Sequence, residues 1–206
     1  MSFLKNVGAT AVPLMLAACV SSGAPLAGTP GTGAQTSAPA GASSGAASGA
    51  ATANAYAIVN DSSGKQIGIA TLTQDATGAV HVQMHAQGLT PGLHGVHFHA
   101  VGSCVPPAFT SAGGHFNPEA KHHGLSNPVG PHAGDLPNMT VDASGNANYS
   151  ATTNRVSLTA GANNLLDADG TALVVHAAAD DNMTDPAGNA GGRIGCGAVR
   201  SGVAPG

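Results

Sequence analysis

The sequence predicts an all-β protein, folded as an antiparallel sandwich or barrel. Short segments in which apolar and polar residues alternate recur along the chain, and turn sequences rich in Asp, Asn and Gly separate them. No stretch shows the periodicity of a long helix, and no apolar run reaches the ~18 residues of a membrane-spanning helix. With 206 residues, the chain holds one domain of ordinary size with appendages, or at most two small domains.

The expected strands follow one another from residue 55 onwards. The clearest is 79–88, where apolar residues alternate with His81 and His85, so these two histidines are expected on the solvent side rather than on a metal. Two long connections, 101–138 and 178–192, interrupt the pattern, and structureless loops of that length are usually functional. The expected strands are 56–59, 66–74, 79–88, the segment that contains His97 and His99, 139–142, 147–151, 171–177 and 194–199.

The first 54 residues are predicted to be an export signal and a tether. Lys5 gives a weakly positive start, an apolar segment follows, and Leu16-Ala17-Ala18-Cys19 resembles the lipobox at which bacterial lipoproteins are cut and lipidated. An ordinary signal peptide with an incidental Cys19 is the alternative. Residues 20–54 are almost entirely Ala, Gly, Ser, Thr and Pro, so we expect a flexible linker of roughly 30–35 Å between a membrane anchor and the domain 55–206.

Composition argues against a nucleic-acid-binding surface and draws attention to histidine. The formal net charge is −4, and the 6 Lys and Arg residues are scattered along the chain. The 10 histidines all lie between His81 and His176. A structural role alone would not explain such clustering, whereas ligation of a metal ion would.

The histidine spacing predicts a metal site. His97 and His99 are two residues apart on an expected strand, so both imidazoles point to one face and can reach one ion. His176 ends a distant strand that could supply a third imidazole. His115, His123, His132 and Asp135 form a second group in the long connection. Three imidazoles and a carboxylate suit zinc, and an array of imidazoles suits copper, but spacing alone assigns neither metal.

Several separated motifs together resemble the copper/zinc superoxide dismutases of the bacterial, exported type. The resemblance covers about residues 55–200, with motif order and spacing preserved. It rests on Gly92-Leu93-His94-Gly95-Val96-His97-Phe98-His99, Gly114-His115-Phe116-Asn117-Pro118, His123-Gly124, His132-Ala133-Gly134-Asp135-Leu136, Leu173-Val174-Val175-His176 and Gly192-Arg193-Ile194-Gly195-Cys196-Gly197.

The resemblance implies an eight-stranded antiparallel Greek-key barrel with two long functional loops, which converts superoxide to oxygen and hydrogen peroxide. It implies a copper ion on His97, His99, His115 and His176, and a zinc ion on His115, His123, His132 and Asp135. His115 would bridge the two ions as an imidazolate and deliver a proton. His122 is adjacent to His123 and is the alternative zinc ligand, although the family spacing selects His123.

The resemblance also assigns residues around the metals. Asp180 would link a copper ligand to a zinc ligand, His94 would brace the copper site without ligation, and Arg193 would attract and orient the superoxide anion. It pairs Cys104 with Cys196 in a disulfide, which agrees with an exported chain. The expected location is the periplasm or cell envelope, with a lipid anchor at Cys19.

Two questions stay open at the level of sequence. A copper or zinc buffer that keeps this fold without turnover is the rival function, although it would have no need for Arg193 or Asp180. Family members occur as monomers or homodimers, and no long exposed apolar stripe decides between them.

Overall fold

The computed structural model describes residues 53–205, so the predicted signal peptide, Cys19 and nearly all of the predicted linker lie outside the described residues. The described part is all-β, apart from one 3-10 turn at Thr110–Ala112. No helix among residues 53–205 has the length and apolar character needed to cross a membrane. The strands are β1 (Ala53–Asp61), β2 (Gln66–Gln74), β3 (Val80–Gln87), β4 (Gly92–His94), β5 (Val96–His99), β6 (Met139–Val141), β7 (Asn146–Thr153), β8 (Ala172–His176) and β9 (Arg193–Ser201).

The strands form an antiparallel Greek-key barrel. One sheet has the order β5-β8-β9-β1-β2-β3-β7, and β4 pairs with β6 in a second sheet. Only Gly95 separates β4 from β5, so these segments are two halves of one strand and connect the sheets at one side. A tight turn joins β6 to β7 at the other side, where the Asp142 amide donates to the Asn146 carbonyl. With β4 and β5 counted as one, the nine segments give the expected eight strands.

Alternation along each strand builds the core. In β3, Val80, Val82, Met84 and Ala86 are buried, and the residues between them face outward, as predicted. Strand β1 begins at Ala53, two residues before the predicted domain boundary, because Ala53 and Asn54 pair with the end of β2. His81 and His85 lie on the outer face and bond Asp75 and Asn148 respectively.

Three long connections leave the barrel, one more than was singled out in the sequence. Residues 100–138 join β5 to β6, residues 177–192 join β8 to β9, and residues 154–171 join β7 to β8. The first connection folds back along β5, where His97 bridges Asp135 and His99 bridges His115. Gly134 makes this approach possible, since a Cβ there would overlap the Phe98 carbonyl oxygen. Strand β5 is therefore flanked by β8 on one side and by His115 and Asp135 on the other.

Candidate metal centre

Four buried imidazoles meet beside β5. One ligand atom from each of His97, His99, His115 and His176 lies within 4.8 Å of the other three. Strand β5 supplies two of these rings, β8 supplies His176 from its last residue, and the first long connection supplies His115. The structure thus brings together the residues that the resemblance assigned to copper.

Hydrogen bonds to loop carbonyls fix which nitrogen carries the proton on two of these rings. His99 Nδ1 lies 2.9 Å from the Gly113 carbonyl oxygen, and His176 Nδ1 lies 3.2 Å from the Gly191 carbonyl oxygen. A carbonyl oxygen only accepts, so each Nδ1 must donate and each Nε2 of the neutral ring keeps its lone pair. These two Nε2 atoms face each other at 3.3 Å.

The other two rings also present a nitrogen without a partner. His97 Nε2 donates to Asp180 Oδ2 at 2.7 Å, which leaves the lone pair on Nδ1. His97 Nδ1 and His115 Nε2 are both buried and have no hydrogen-bond partner among the described residues. Nitrogen lone pairs that converge in a buried space repel one another unless a cation lies between them, so this group fits a metal ion that favours imidazole, such as copper.

The environment keeps the rings of His99, His115 and His176 neutral, as metal ligation requires. Burial is the largest effect, and it lowers the pKa of His99 to about 2 and that of His176 to about 3. The positive charge of Arg193 lowers both values further. Burial also lowers the pKa of His115 to about 4, although its hydrogen bond to Asp135 opposes the shift.

A second group of ligands surrounds the Asp135 carboxylate. The Nδ1 atoms of His115, His123 and His132 lie 3.0, 3.1 and 3.4 Å from Asp135 Oδ1. The backbone amides of Gly124 and His132 donate to Asp135 Oδ2 and hold the carboxylate in place. Three imidazole nitrogens around one carboxylate oxygen match the donor set of a tetrahedral zinc site.

His97 also approaches this second group, and hydrogen bonding decides to which group it belongs. One ligand atom from each of His97, His115, His123 and Asp135 lies within 4.8 Å of the others. However, His97 Nε2 is already bound to Asp180, and its free Nδ1 belongs with the four converging imidazoles. His132, which points Nδ1 towards Asp135, completes the second group instead.

The carboxylates of the second group favour a positive charge beside them. Burial opposes protonation of His123, but hydrogen bonds to Asp135 and Asp180 outweigh it and raise the pKa of His123 to about 9. Burial alone would raise the pKa of Asp135, yet hydrogen bonds from the three rings hold it well below its usual range. In the metal-free chain a proton on His123 thus supplies charge that a zinc ion would supply.

Asp180 connects the two groups. Its Oδ2 accepts from His97 Nε2, and its Oδ1 accepts from His123 Nε2 at 3.0 Å. Asn138 fixes the backbone of Asp180 by two hydrogen bonds of 2.8 Å. Gly188 passes so close that a Cβ there would overlap the Asp180 carboxylate, and its φ of +61° also favours glycine.

The structure separates the two adjacent histidines. His123 is fully buried between Asp135 and Asp180. The side chain of His122 is 61% exposed and bonds Asp185 on the surface. Only His123 is therefore placed among the second group of ligands.

Arg193, His94 and the disulfide surround the four converging imidazoles. The Arg193 guanidinium donates to the carbonyl oxygens of Phe109 and Gly113, and the Gly113 oxygen also accepts from His99. The Cys104–Cys196 disulfide ties the same loop to β9, three residues beyond Arg193. His94 lies with its two ring nitrogens 2.7 and 2.8 Å from the carbonyl oxygens of His176 and Thr90, so it braces the end of β8.

These observations define an all-β protein with two adjoining groups of possible metal ligands, and His115 belongs to both groups. The chain matches the family model described as copper/zinc superoxide dismutase over residues 66–199. It is 46% identical over 148 residues to Cu-Zn superoxide dismutase 2 of Aquifex aeolicus, which covers 71% of this chain and 86% of the relative. The chain belongs to the copper/zinc superoxide dismutase family of oxidoreductases, whose cofactors are copper and zinc.

Solved structures agree with this assignment. The crystal structure of a SOD-like protein from Bacillus subtilis superposes with a TM-score of 0.66 at 41% identity, and covers 69% of this chain and 96% of that one. The Cu/Zn superoxide dismutase of Brucella abortus superposes with a TM-score of 0.60 at 26% identity, and covers 71% and 99%.

One residue beside the second group was not anticipated from the sequence. Arg155, in the connection between β7 and β8, donates to the backbone carbonyl of Asp135. In the sequence it is one of the scattered basic residues and belongs to none of the motifs. The sequence offers one signal for Arg155. The chain has few charged side chains, and this arginine lies just after a strand and next to an apolar residue, Val156.

Proposed function

We propose that this chain dismutates superoxide with a copper ion held by His97, His99, His115 and His176. A zinc ion on His115, His123, His132 and Asp135 would support the copper site, and both ions would share the ring of His115 as an imidazolate. The observation that carries the proposal is the tautomer pattern, in which His97, His99 and His176 donate their N–H groups outward and direct lone pairs inward. That arrangement is suited to a metal ion and to little else.

The residues of the chain have separate tasks in this reaction. Copper, when bound, supplies the one-electron chemistry that turns two superoxide ions and two protons into oxygen and hydrogen peroxide. Arg193 contributes a positive charge near His99 and His176, which attracts and orients the anion. Focusing of this kind raises encounter rates by roughly 10–1000-fold, an effect of which this family is itself an example.

His115 is the group placed to move a proton. Its Nε2 atom faces the copper ligands and its Nδ1 atom faces Asp135. A proton taken up at Nε2 therefore lies on the side of the copper ligands, where it is passed on to the second superoxide ion. Asp180 holds His97 and His123 in the tautomers that ligation needs.

The test is a superoxide decay rate paired with metal analysis on one sample. We expect the wild-type domain to bind one copper and one zinc and to accelerate decay. His176→Ala should lose copper and activity but keep zinc, whereas His85→Ala, on the outer face, should behave like the wild type. Stoichiometric metal without acceleration over the metal-free chain would contradict the proposal and favour a metal buffer.

The shared ring has its own test. The measurement is electron paramagnetic resonance of a sample in which both sites are loaded with copper(II). An imidazolate between the two ions would couple their unpaired spins, and the signal of isolated copper(II) would be lost. Acidification that protonates His115 should restore the signal. Two independent copper signals at neutral pH would show that the ring is not shared.

We further propose that the domain acts in the cell envelope, where it removes superoxide and so protects against oxidative damage. The support is the lipobox-like sequence that ends at Cys19, the composition of residues 20–54 and the Cys104–Cys196 disulfide, a bond typical of exported proteins. Labelled fatty acid should attach to the wild-type chain and not to Cys19→Ala. Equal labelling of both would contradict lipidation at this residue.

A further inference from the structure

The connection between β7 and β8 delivers a partly buried cation to the second group of ligands. Arg155 lies two residues beyond the end of β7, and its guanidinium Nη2 donates to the carbonyl oxygen of Asp135. Its Nε atom is buried without a hydrogen-bond partner among residues 53–205. The guanidinium is therefore partly removed from solvent where it reaches this backbone group.

The backbone that carries the arginine is fixed on both sides. The Arg155 amide donates to Thr153 Oγ1 at 3.1 Å, and the Arg155 carbonyl accepts from Asn163 Nδ2 at 2.8 Å. The same Asn163 amide group lies 2.9 Å from Glu119 Oε1, in the first long connection. The next residue, Val156, is buried in the core. The guanidinium is thus delivered from an anchored segment rather than from a free surface loop.

Asp135 is the residue whose orientation matters most in this group. Its carboxylate touches three imidazoles, while its backbone lies beside β5 through the bridge to His97. A rotation of its peptide group would move the carboxylate away from the rings. The amides of Gly124 and His132 fix the carboxylate end, and Arg155 fixes the carbonyl end.

We propose that Arg155 is a positioning residue for the zinc centre, which holds Asp135 in its ligating orientation through the backbone carbonyl. The inference rests on the proposed function, because it takes Asp135 to be a zinc ligand. Arg155 belongs to the connection between β7 and β8, and this connection supplies none of the proposed metal ligands.

Arg155 affects zinc binding in two opposite ways. The direction in which zinc affinity changes when Arg155 is replaced therefore shows which effect is larger. The positive charge of the guanidinium repels a dication, so its removal by itself would strengthen zinc binding. Its hydrogen bond orients a ligand, so its loss would weaken zinc binding. Partners that orient metal ligands typically contribute about 10–100-fold to metal affinity. We infer that positioning outweighs repulsion.

The experiment measures zinc affinity in the copper-free domain by competition with a chelator of known affinity. Arg155→Met removes both charge and hydrogen bond, and Arg155→Lys keeps the charge but loses the planar guanidinium. Arg200→Met, on the exposed end of β9, is the matched control for loss of one positive charge. The absorption spectrum of cobalt bound in place of zinc reports the geometry of the ligands independently of activity.

We expect Arg155→Met to lower zinc affinity about 10–100-fold and to change the cobalt spectrum. Arg155→Lys should lie between this variant and the wild type, and it carries the test if Arg155→Met does not fold. Arg200→Met should match the wild type, and copper affinity should not change in any variant. Tighter or unchanged zinc binding in Arg155→Met would overturn the proposal, as would equal losses of copper and zinc.

The proposed function fails in a distinguishable way. If the wild-type domain binds no zinc, or if His132→Ala binds zinc as tightly as the wild type, then the zinc assignment is wrong. If the wild-type domain binds zinc and His132→Ala binds it more weakly, the zinc assignment stands. If the Arg155 variants then bind zinc as tightly as the wild type, only the positioning role is refuted.

Discussion

Removal of the disulfide should destabilise the domain strongly and affect the copper site more than the zinc site. The bond joins Cys104 to Cys196 over a sequence separation of 92, with a Cα–Cα distance of 5.6 Å. Closing a loop of this length in the unfolded chain lowers its entropy by an amount worth about 4–5 kcal/mol at 25 °C. Cys196 also belongs to a small buried apolar cluster with Phe109 and Val174, and Cys104 packs against this cluster, so replacement with serine adds a smaller packing loss.

The copper site is coupled to this bond through the loop that follows Cys104. The Gly113 carbonyl at the end of that loop orients the ring of His99 and accepts from Arg193. A loop released from β9 would hold this carbonyl less firmly. The zinc ligands are fixed instead by Asp135 and Asp180, which lie outside the loop.

The assay is urea unfolding of the metal-free domain, with Cys104→Ser and Cys196→Ser combined. Wild-type protein treated with a thiol reductant is the control, because it loses the covalent bond without a substitution. Both samples should lose about 4–5 kcal/mol of unfolding free energy. A loss below about 1 kcal/mol, the size of an ordinary point substitution, would refute the reasoning, and so would a larger fall in zinc affinity than in copper affinity.

Three further predictions concern charged groups at the metal centres. Asp180→Asn should lower zinc affinity by roughly 10–100-fold in a chelator competition, while Asp169→Asn, on the surface, should leave it unchanged. Arg193→Glu should slow superoxide decay and weaken its dependence on salt, so equal rates across ionic strength in variant and wild type would contradict a steering role. In the metal-free domain, the pKa of His99 is lowered from 6.5 to about 2 by burial, so stability should fall as pH drops below 6.5. The pKa of His123 is raised to about 9 by its carboxylate partners despite burial, so stability should also fall as pH rises from 6.5 through 9. Urea unfolding across this range should therefore show a maximum near pH 6.5, and a flat profile would contradict both shifts.

Local patterns in the sequence predicted most strands because their ends are marked by turns. Strand β2 has the predicted bounds, since the Asp61 and Asp75 turns lie on either side of it. The start of β1 could not be predicted, because Ala53 and Asn54 have the composition of the preceding segment. They become strand only through pairing with β2, which is a contact between distant residues.

The ligand set could also be predicted only in part, because some of it follows from local patterns and some from contacts between distant residues. Alternation on one strand indicated that His97 and His99 act together. The choice between His122 and His123 depends on Asp185 and Asp180, which come from a connection some 60 residues later in the chain. The sequence holds no local signal for such a choice.

The strands place the imidazoles, but the loops decide their chemistry. Gly113 and Gly191 lie in different connections, and each offers a carbonyl that makes one histidine donate from Nδ1 and keep its lone pair on Nε2. The Asp180 carboxylate does the reverse for His97, where Nε2 donates and Nδ1 remains free. A barrel with altered loops would keep its core and lose this pattern. The fold alone therefore does not determine activity, which depends on three acceptors outside the sheet.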